Sequence, residues 1–229
     1  MTIILATNNA HKIREFQAIL KDEFKQHKNI RVCAYSDIIE PFEIIESGVT
    51  FKENATIKVK AIYEAIKHEF KFRPLPYAAP YFIIAEDSGL CVLALNGEPG
   101  IYSARYASFK HFDSIESSTD LANLHCLIES IKPIAPTPAY FLAHIAMIEI
   151  KAFSCTPSAD FIIEHFEGKL KGSVIAQMRG NAGFGYDPIF IPSEDNPLGL
   201  SLAEYNPSAK NRISHRKKAI SQCIEKILS

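Results

Sequence analysis

One segment restricts the fold more than any other. Residues 140–150 are apolar at both alternating sets of positions, with Tyr140, His144 and Glu149 as the only titratable groups. A strand with one wet face alternates apolar and polar residues, so a run apolar on both faces must be covered on both. That places it in the middle of a sheet with helices against it. The longest apolar stretch, 139–148, is too short to cross a bilayer as a helix.

The rest of the chain supplies the partners. Residues 3–6 form a short run rich in β-branched residues, read as a strand, and Thr7-Asn8-Asn9 breaks it and offers helix caps. Ile13, Phe16, Ile19 and Leu20 then recur at helical spacing, predicting a helix over 10–22. Thr50 with Glu53 three residues on is a capping box, followed by the stripe Ala55, Val59, Ile62 and Ile66. Leu121, Leu124, Ile128 and Ile131 mark a third helix. Asn206-Pro207 announces a last one, with Ile213, Ile220, Ile224 and Ile227 as its stripe. Residues 81–85 read as a strand that ends in acid, 161–176 as a hairpin turning at Glu167-Gly168, and 189–191 as a short strand. Strands and helices interleave without strict alternation, which predicts an α/β fold with a mixed sheet. The proline clusters at 74–80, 133–138 and 192–197 are short enough to be loops, so residues 1–229 are expected to form a single domain.

Composition then limits the function. A chain of 229 residues, 47% hydrophobic and 22% charged, can build a core without metal or disulfide staples. Twenty-five Lys and Arg against 26 Asp and Glu argue against a protein that coats a nucleic-acid polymer, so an anionic ligand is expected to be small and locally bound. The five cysteines are widely spaced with no Cys-x-x-Cys pair, which points to reduced thiols and a cytoplasmic location. The first residues lack a basic segment and turn polar at Thr7, so they do not read as a signal peptide, and no membrane partner is expected. A G-x-x-x-x-G-K-[ST] phosphate loop, an H-E-x-x-H pair and a G-x-S-x-G elbow are all missing.

Four constellations remain. Thr7-Asn8-Asn9-Ala10-His11-Lys12 runs from a strand into a helix N-terminus, a place suited to phosphate, with Lys12 set against the helix dipole. It also reads as a plain Asn-capped surface helix. Glu86-Asp87-Ser88-Gly89 places two carboxylates after an apolar strand. Mg²⁺ needs only one or two carboxylates plus phosphate oxygens, and such an Asp can accept a proton from water; the plainer reading is an acidic turn. Glu46 is a further carboxylate before a helix, as a solvated loop residue also would be. Gly183-Phe184-Gly185-Tyr186-Asp187-Pro188 lets backbone approach a ligand and leaves Phe184 to stack on a flat ring, or to tuck into the core. Residues 210–218 hold five Lys and Arg and no acid, either a solvated face or the cradle of a polyanion.

Taken together, Thr7-Asn8-Asn9-x-x-Lys12, Glu46-Ser47-Gly48, residues 51–55, Glu86-Asp87-Ser88-Gly89-Leu90, Pro99-Gly100-Ile101-Tyr102-Ser103-Ala104-Arg105-Tyr106, Phe184-Gly185-Tyr186-Asp187-Pro188-Ile189-Phe190 and Ser214-His215-Arg216 occur in one order. That set resembles the inosine triphosphate pyrophosphatase family, the house-cleaning noncanonical purine NTP pyrophosphatases. The resemblance runs from residue 1 to about 220 and is loose at 67–81, at 107–118 and near 151–158. Glu86 stands where many members have Asp, and Lys217 where Gly is common.

The resemblance implies an elongated, mixed, twisted sheet flanked by helices, two lobes with a nucleotide cleft between them, and a homodimer. It also implies hydrolysis of ITP, dITP or XTP to the monophosphate and pyrophosphate with Mg²⁺. Lys12 and the backbone of Thr7, Asn8 and Asn9 are then expected to hold phosphates, as is Lys210, with Ala10 and His11 also binding substrate. Glu46 and Asp87 are the expected metal ligands, with Glu86 as a helper, and Asp87 the activator of water. Ser88, Phe184, Gly185, Tyr186, Asp187, His215 and Arg216 are expected to bind the remainder of the nucleotide, Phe184 by stacking and Asp187, His215 and Arg216 by reading the purine edge. A nucleotide sensor without turnover, and a pyrophosphatase for other nucleoside triphosphates, are the alternatives.

Overall fold

The computed structural model describes residues 1–27, 29–70, 75–111, 119–150 and 161–229. Its strands are β1 (Thr2–Leu5), β2 (Arg31–Ala34), β3 (Tyr81–Val92), β4 (Thr137–Ile150), β5 (Ile163–Val174) and β6 (Phe190–Pro192). The helices among the described residues are α1 (Ala10–Glu23), α2 (Phe51–Glu69), α3 (Tyr106–Phe109), α4 (Asp120–Ile131), α5 (Pro207–Ile213) and α6 (His215–Leu228). The six strands form one sheet in the order β2-β1-β3-β4-β5-β6. Strand β1 runs parallel to both neighbours, Ile3 lying opposite Val32 on one side and Phe82 on the other. Strand β6 runs antiparallel to β5, so the sheet is mixed as expected. The doubly apolar run is the core of β4, flanked by β3 and β5.

The chain divides into two compact units, one of Met1–Asp87, His144–Glu167 and Ala219–Ser229, the other of Ser88–Ala143 and Gly168–Lys218. In the first, Ala55, Val59, Ile62 and Ile66 of α2, all fully buried, meet Ile4, Ile83, Ala85, Ala146 and Ile148 on one face of the sheet. In the second, Leu124, Leu127, Ile128 and Ile131 of α4 join Leu90, Val92, Ala139, Phe141, Leu170, Val174 and Phe190. Each large apolar side chain so buried contributes roughly 1.5–3 kcal/mol, and Leu or Ile to Ala at such a site costs about 2–5 kcal/mol. No helix among the described residues is long and apolar enough to cross a membrane. Cys33, Cys91, Cys126 and Cys223 are buried free thiols; burial pushes the Cys33 thiol up to about 11, far from reactive thiolate. Cys155 lies outside the described residues.

Three local expectations are corrected. Strand β3 does not end at its acids: it carries Glu86, Asp87 and Ser88 in mid-strand and continues to Val92. Lys12 and Lys58 supply opposite charge to those carboxylates, so the ladder need not break to hydrate them. The supposed hairpin at Glu167-Gly168 is one strand, β5, extended from Ile163 to Val174. The last helix is two: Ser214 is extended (ψ 146°), ends α5, and accepts a hydrogen bond at 3.0 Å from the Lys217 backbone N–H in the first turn of α6. The isoleucine stripe keeps its spacing across that break, which is why periodicity alone concealed it.

Candidate active site

In the first unit the site grows from three elements. Strand β1 hands over to α1 through Thr7-Asn8-Asn9. Asn9 caps the helix, its Oδ1 accepting from the backbone N–H groups of His11 (2.9 Å) and Lys12 (3.3 Å). Thr7 Oγ1 accepts from the Asn9 N–H, and Asn8 Nδ2 donates to the Tyr35 hydroxyl. Three backbone donors of this loop are thus engaged by its own side chains. No acid stands in the first turn of α1, where Lys12 projects an ammonium.

Strand β3 carries the carboxylates. Successive strand side chains point to opposite faces, and Ile83 and Ala85 pack with the apolar stripe of α2. Asp87 therefore faces α2, and Glu86 the other side. The ion pairs agree: Lys12 Nζ lies 3.6 Å from Glu86, while Lys58 of α2 lies 3.2 Å from Asp87.

Helix α2 begins at Thr50, whose Oγ1 accepts from the Glu53 N–H; Glu53 in turn accepts from the Val49 N–H at 2.7 Å. Asn54 and Lys58 sit one turn apart on its buried side. Asn54 Oδ1 accepts from the Gly48 N–H (2.9 Å), and its Nδ2 donates to Asp87 Oδ2 (3.2 Å). Lys58 Nζ is 3.2 Å from both Glu46 Oε2 and Asp87 Oδ1. Burial pushes the Asp87 carboxyl above the ordinary range; Lys58 opposes that, the Glu46 charge adds to it, and Lys12 and Asn54 hold it down in smaller measure. Removing one member of such a buried pair costs about 3–5 kcal/mol.

Two carboxylates sharing one cation position suit a hard divalent ion, which takes one or two protein carboxylates and leaves its other positions to water or phosphate. Among the described residues no group of three or more His, Cys, Asp or Glu side chains is placed to hold a metal. A substrate-completed ion fits Glu46 and Asp87; an all-protein cage does not.

The second unit gathers a different set. Arg216, 4% exposed, donates from Nη2 to Ser88 Oγ at 3.2 Å. Lys210 of α5 lies 2.5 Å from Asp187 Oδ2 and stands over the Phe184 ring, 4.4 Å from its centroid. Asp187 Oδ2 also accepts from the Phe184 N–H at 2.8 Å. That closes a tight loop whose glycines, Gly183 and Gly185, have φ of +78° and +58°. Phe184 is thereby held at the surface, 44% exposed. The Gly185 N–H meets Asp120 at 3.3 Å, and the buried Tyr186 hydroxyl donates to the Ser103 carbonyl at 2.8 Å. His215 stacks on Phe141, centroids 4.9 Å apart and planes 11° apart.

A model of the Ham1 family matches residues 3–226. The chain belongs to the Ham1 family. A curated member from Helicobacter hepaticus, named dITP/XTP pyrophosphatase, is 56% identical over 99% of this chain and 98% of its own length. One of the same name from Sulfurimonas denitrificans is 39% identical over 96% of each chain. The solved structure of the Staphylococcus aureus Ham1 protein superposes with a TM-score of 0.74 at 33% identity, covering 99% of this chain and 98% of that one.

Of the motif residues quoted from the sequence, the first unit joins Lys12 to Glu86 and links Glu46 to Asp87 through Lys58; the second joins Ser88 to Arg216 and Phe184 to Asp187 and Lys210. Asp187 is 3% exposed and spends its Oδ2 on the loop and on Lys210. Tyr186 lies in the core. Sequence reasoning quoted residues 51–55 among its motifs but gave Asn54 no role, and it missed Lys58. The available signal was two polar residues at i, i+4 amid the apolar stripe of α2, where a solvated side chain has no reason to be.

Proposed function

We propose that this chain hydrolyses noncanonical purine nucleoside triphosphates (ITP, dITP and XTP) to the monophosphate and pyrophosphate. The observation that carries the reading is the Glu46–Lys58–Asp87 cluster in a chain whose 56%-identical relative is named dITP/XTP pyrophosphatase. Lys12 and Lys58 attract the triphosphate, with the Thr7–Lys12 loop around it. Asp87 accepts a proton from water as the water oxygen bonds to the α-phosphorus. The bond from that phosphorus to the α,β-bridging oxygen breaks, and pyrophosphate leaves with the electron pair. A carboxyl raised by burial is a better proton acceptor than a solvated one, which supports that role. Mg²⁺ held by Glu46 and Asp87 would neutralise phosphate charge.

On the second unit, Phe184 offers its exposed ring to the purine, with Lys210 backing it and Asp187 fixing the loop. Ser88, Arg216 and His215 serve the rest of the nucleotide, Arg216 donating to the 6-oxo oxygen. Residues 1–229 act in this reading as a single functional domain, in a cytoplasmic homodimer; the buried free thiols favour a reducing compartment. A panel of ITP, dITP, XTP, ATP, GTP and pyrimidine triphosphates with Mg²⁺, read for product identity, tests the proposal. Monophosphate and pyrophosphate from the 6-oxo purines ITP, dITP and XTP are expected. Diphosphate with orthophosphate overturns the bond assignment, preference for ordinary or pyrimidine nucleotides overturns the substrate class, and tight binding without turnover marks a sensor.

A further inference from the structure

Asn54 is fully buried, yet it uses both ends of its amide on groups outside its own helix. Its oxygen takes the Gly48 N–H, two residues after Glu46, and its nitrogen gives to Asp87. The loop lies so close to α2 that a Cβ on Gly48 would stand 2.6 Å from Glu53 Cβ and 2.7 Å from Asn54 Oδ1. Lys58, which does contact both carboxylates directly, is a cation and competes with any cation they bind. A neutral amide does not compete, so its hold persists whichever cation is present.

We propose that Asn54 is the positioning residue that sets Glu46 against Asp87, so that the two carboxylates meet one divalent cation. The inference rests on the metal-dependent reading above. Asn54 touches no reacting atom; it acts by fixing the Glu46 loop through Gly48 and the Asp87 carboxylate directly. Outer partners that orient metal ligands are typically worth 10–100-fold in metal affinity.

The test is Mn²⁺ binding to the full chain saturated with a nonhydrolysable ITP analogue, whose phosphate oxygens complete the ion's coordination, by electron paramagnetic resonance, in wild type, Asn54→Ser, Gly48→Ala and the double variant. Asn54→Ser is too short to span both groups; Gly48→Ala forces loop and helix apart and disturbs the same hydrogen bond from its other side. Each single variant is expected to weaken Mn²⁺ binding about tenfold or more. The double variant is expected to be no weaker than the worse single one, because both break one linkage. Circular dichroism confirms that the measured protein is folded, and Gly48→Ala decides alone if Asn54→Ser does not fold. Unchanged Mn²⁺ affinity in a folded variant overturns the proposal, as does additive loss in the double variant or a wild type that binds no Mn²⁺. A wild type that binds Mn²⁺ but turns over no XTP removes the functional reading while leaving this one standing, since the readout needs no catalysis.

Discussion

Asp87 and Glu86 are adjacent in sequence but sit on opposite faces of a strand, with different lysines. Their substitutions should therefore separate. Asp87→Asn removes a metal charge and the proton acceptor, and kcat should fall by about 10²-fold or more; steady-state assays with the thermal midpoint recorded alongside check it. Glu86→Gln leaves the α2 face untouched and releases Lys12, so it should change KM for the triphosphate more than kcat. A dead Glu86→Gln beside an active Asp87→Asn would reverse the roles. Arg216 tests base choice. Its guanidinium has only donors and stays charged, so a 6-oxo oxygen gains a charge-assisted bond while the adenine amino group meets another donor. Sites that depend on such a bond reject the wrong partner by roughly 10⁴-fold. Arg216→Ala should lower kcat/KM for ITP far more than for ATP; equal losses on both would assign Arg216 to phosphates or to structure.

At the scale of elements, β4 and β5 share a histidine pair remote in sequence from the carboxylates. His144 Nε2 is 3.2 Å from His165 Nδ1, with Glu167 3.9 Å from the other His144 nitrogen. Burial first, then His165 and Lys52, push His144 down to about 4, and burial with Lys52 lowers His165 as well. The folded state then binds fewer protons than the unfolded chain between about pH 4 and 6.5, so stability rises with pH across that window. The contribution is complete above pH 6.5 and is lost as pH falls towards 4, by at most about 3 kcal/mol. Urea unfolding at pH 7 and pH 4.5 should show that loss in wild type and a smaller one in His144→Gln. Helix α2 offers a second test. Thr50→Ala deletes its cap and should cost about 1 kcal/mol, measured as a lower urea midpoint at unchanged slope.

For the whole molecule, a ligand that binds only the folded state must raise its stability. A nonhydrolysable ITP analogue with Mg²⁺ at a hundred times its Kd should add about 2.7 kcal/mol, seen as a higher thermal midpoint, and an ATP analogue at the same concentration should add much less. The helices and the mixed sheet were legible because their signals are local: a repeat near 3.6 residues, a cap, a doubly apolar strand. The length of β3 was not, because its acids look like a terminus until Lys58, 29 residues away in sequence, is seen beside Asp87. Nor was the break at Ser214, where one extended residue leaves the isoleucine stripe intact. The carboxylates could be given roles from their motif, whereas Asn54 and Lys58, although their polar i, i+4 spacing beside an apolar stripe was visible, could not be given partners, since a polar residue on a helix does not announce what it touches. Their spacing has a further implication. Four residues of helix rise about 6 Å, and it is this rise that sets the ammonium, which reaches both acids, one turn beyond the amide, which reaches Asp87 and the Gly48 N–H. One residue inserted between them would swing Lys58 about 100° around the axis and detach it from both. In descent, then, the chain can lengthen or shorten at exposed surface turns, while a single turn of α2 must keep its count.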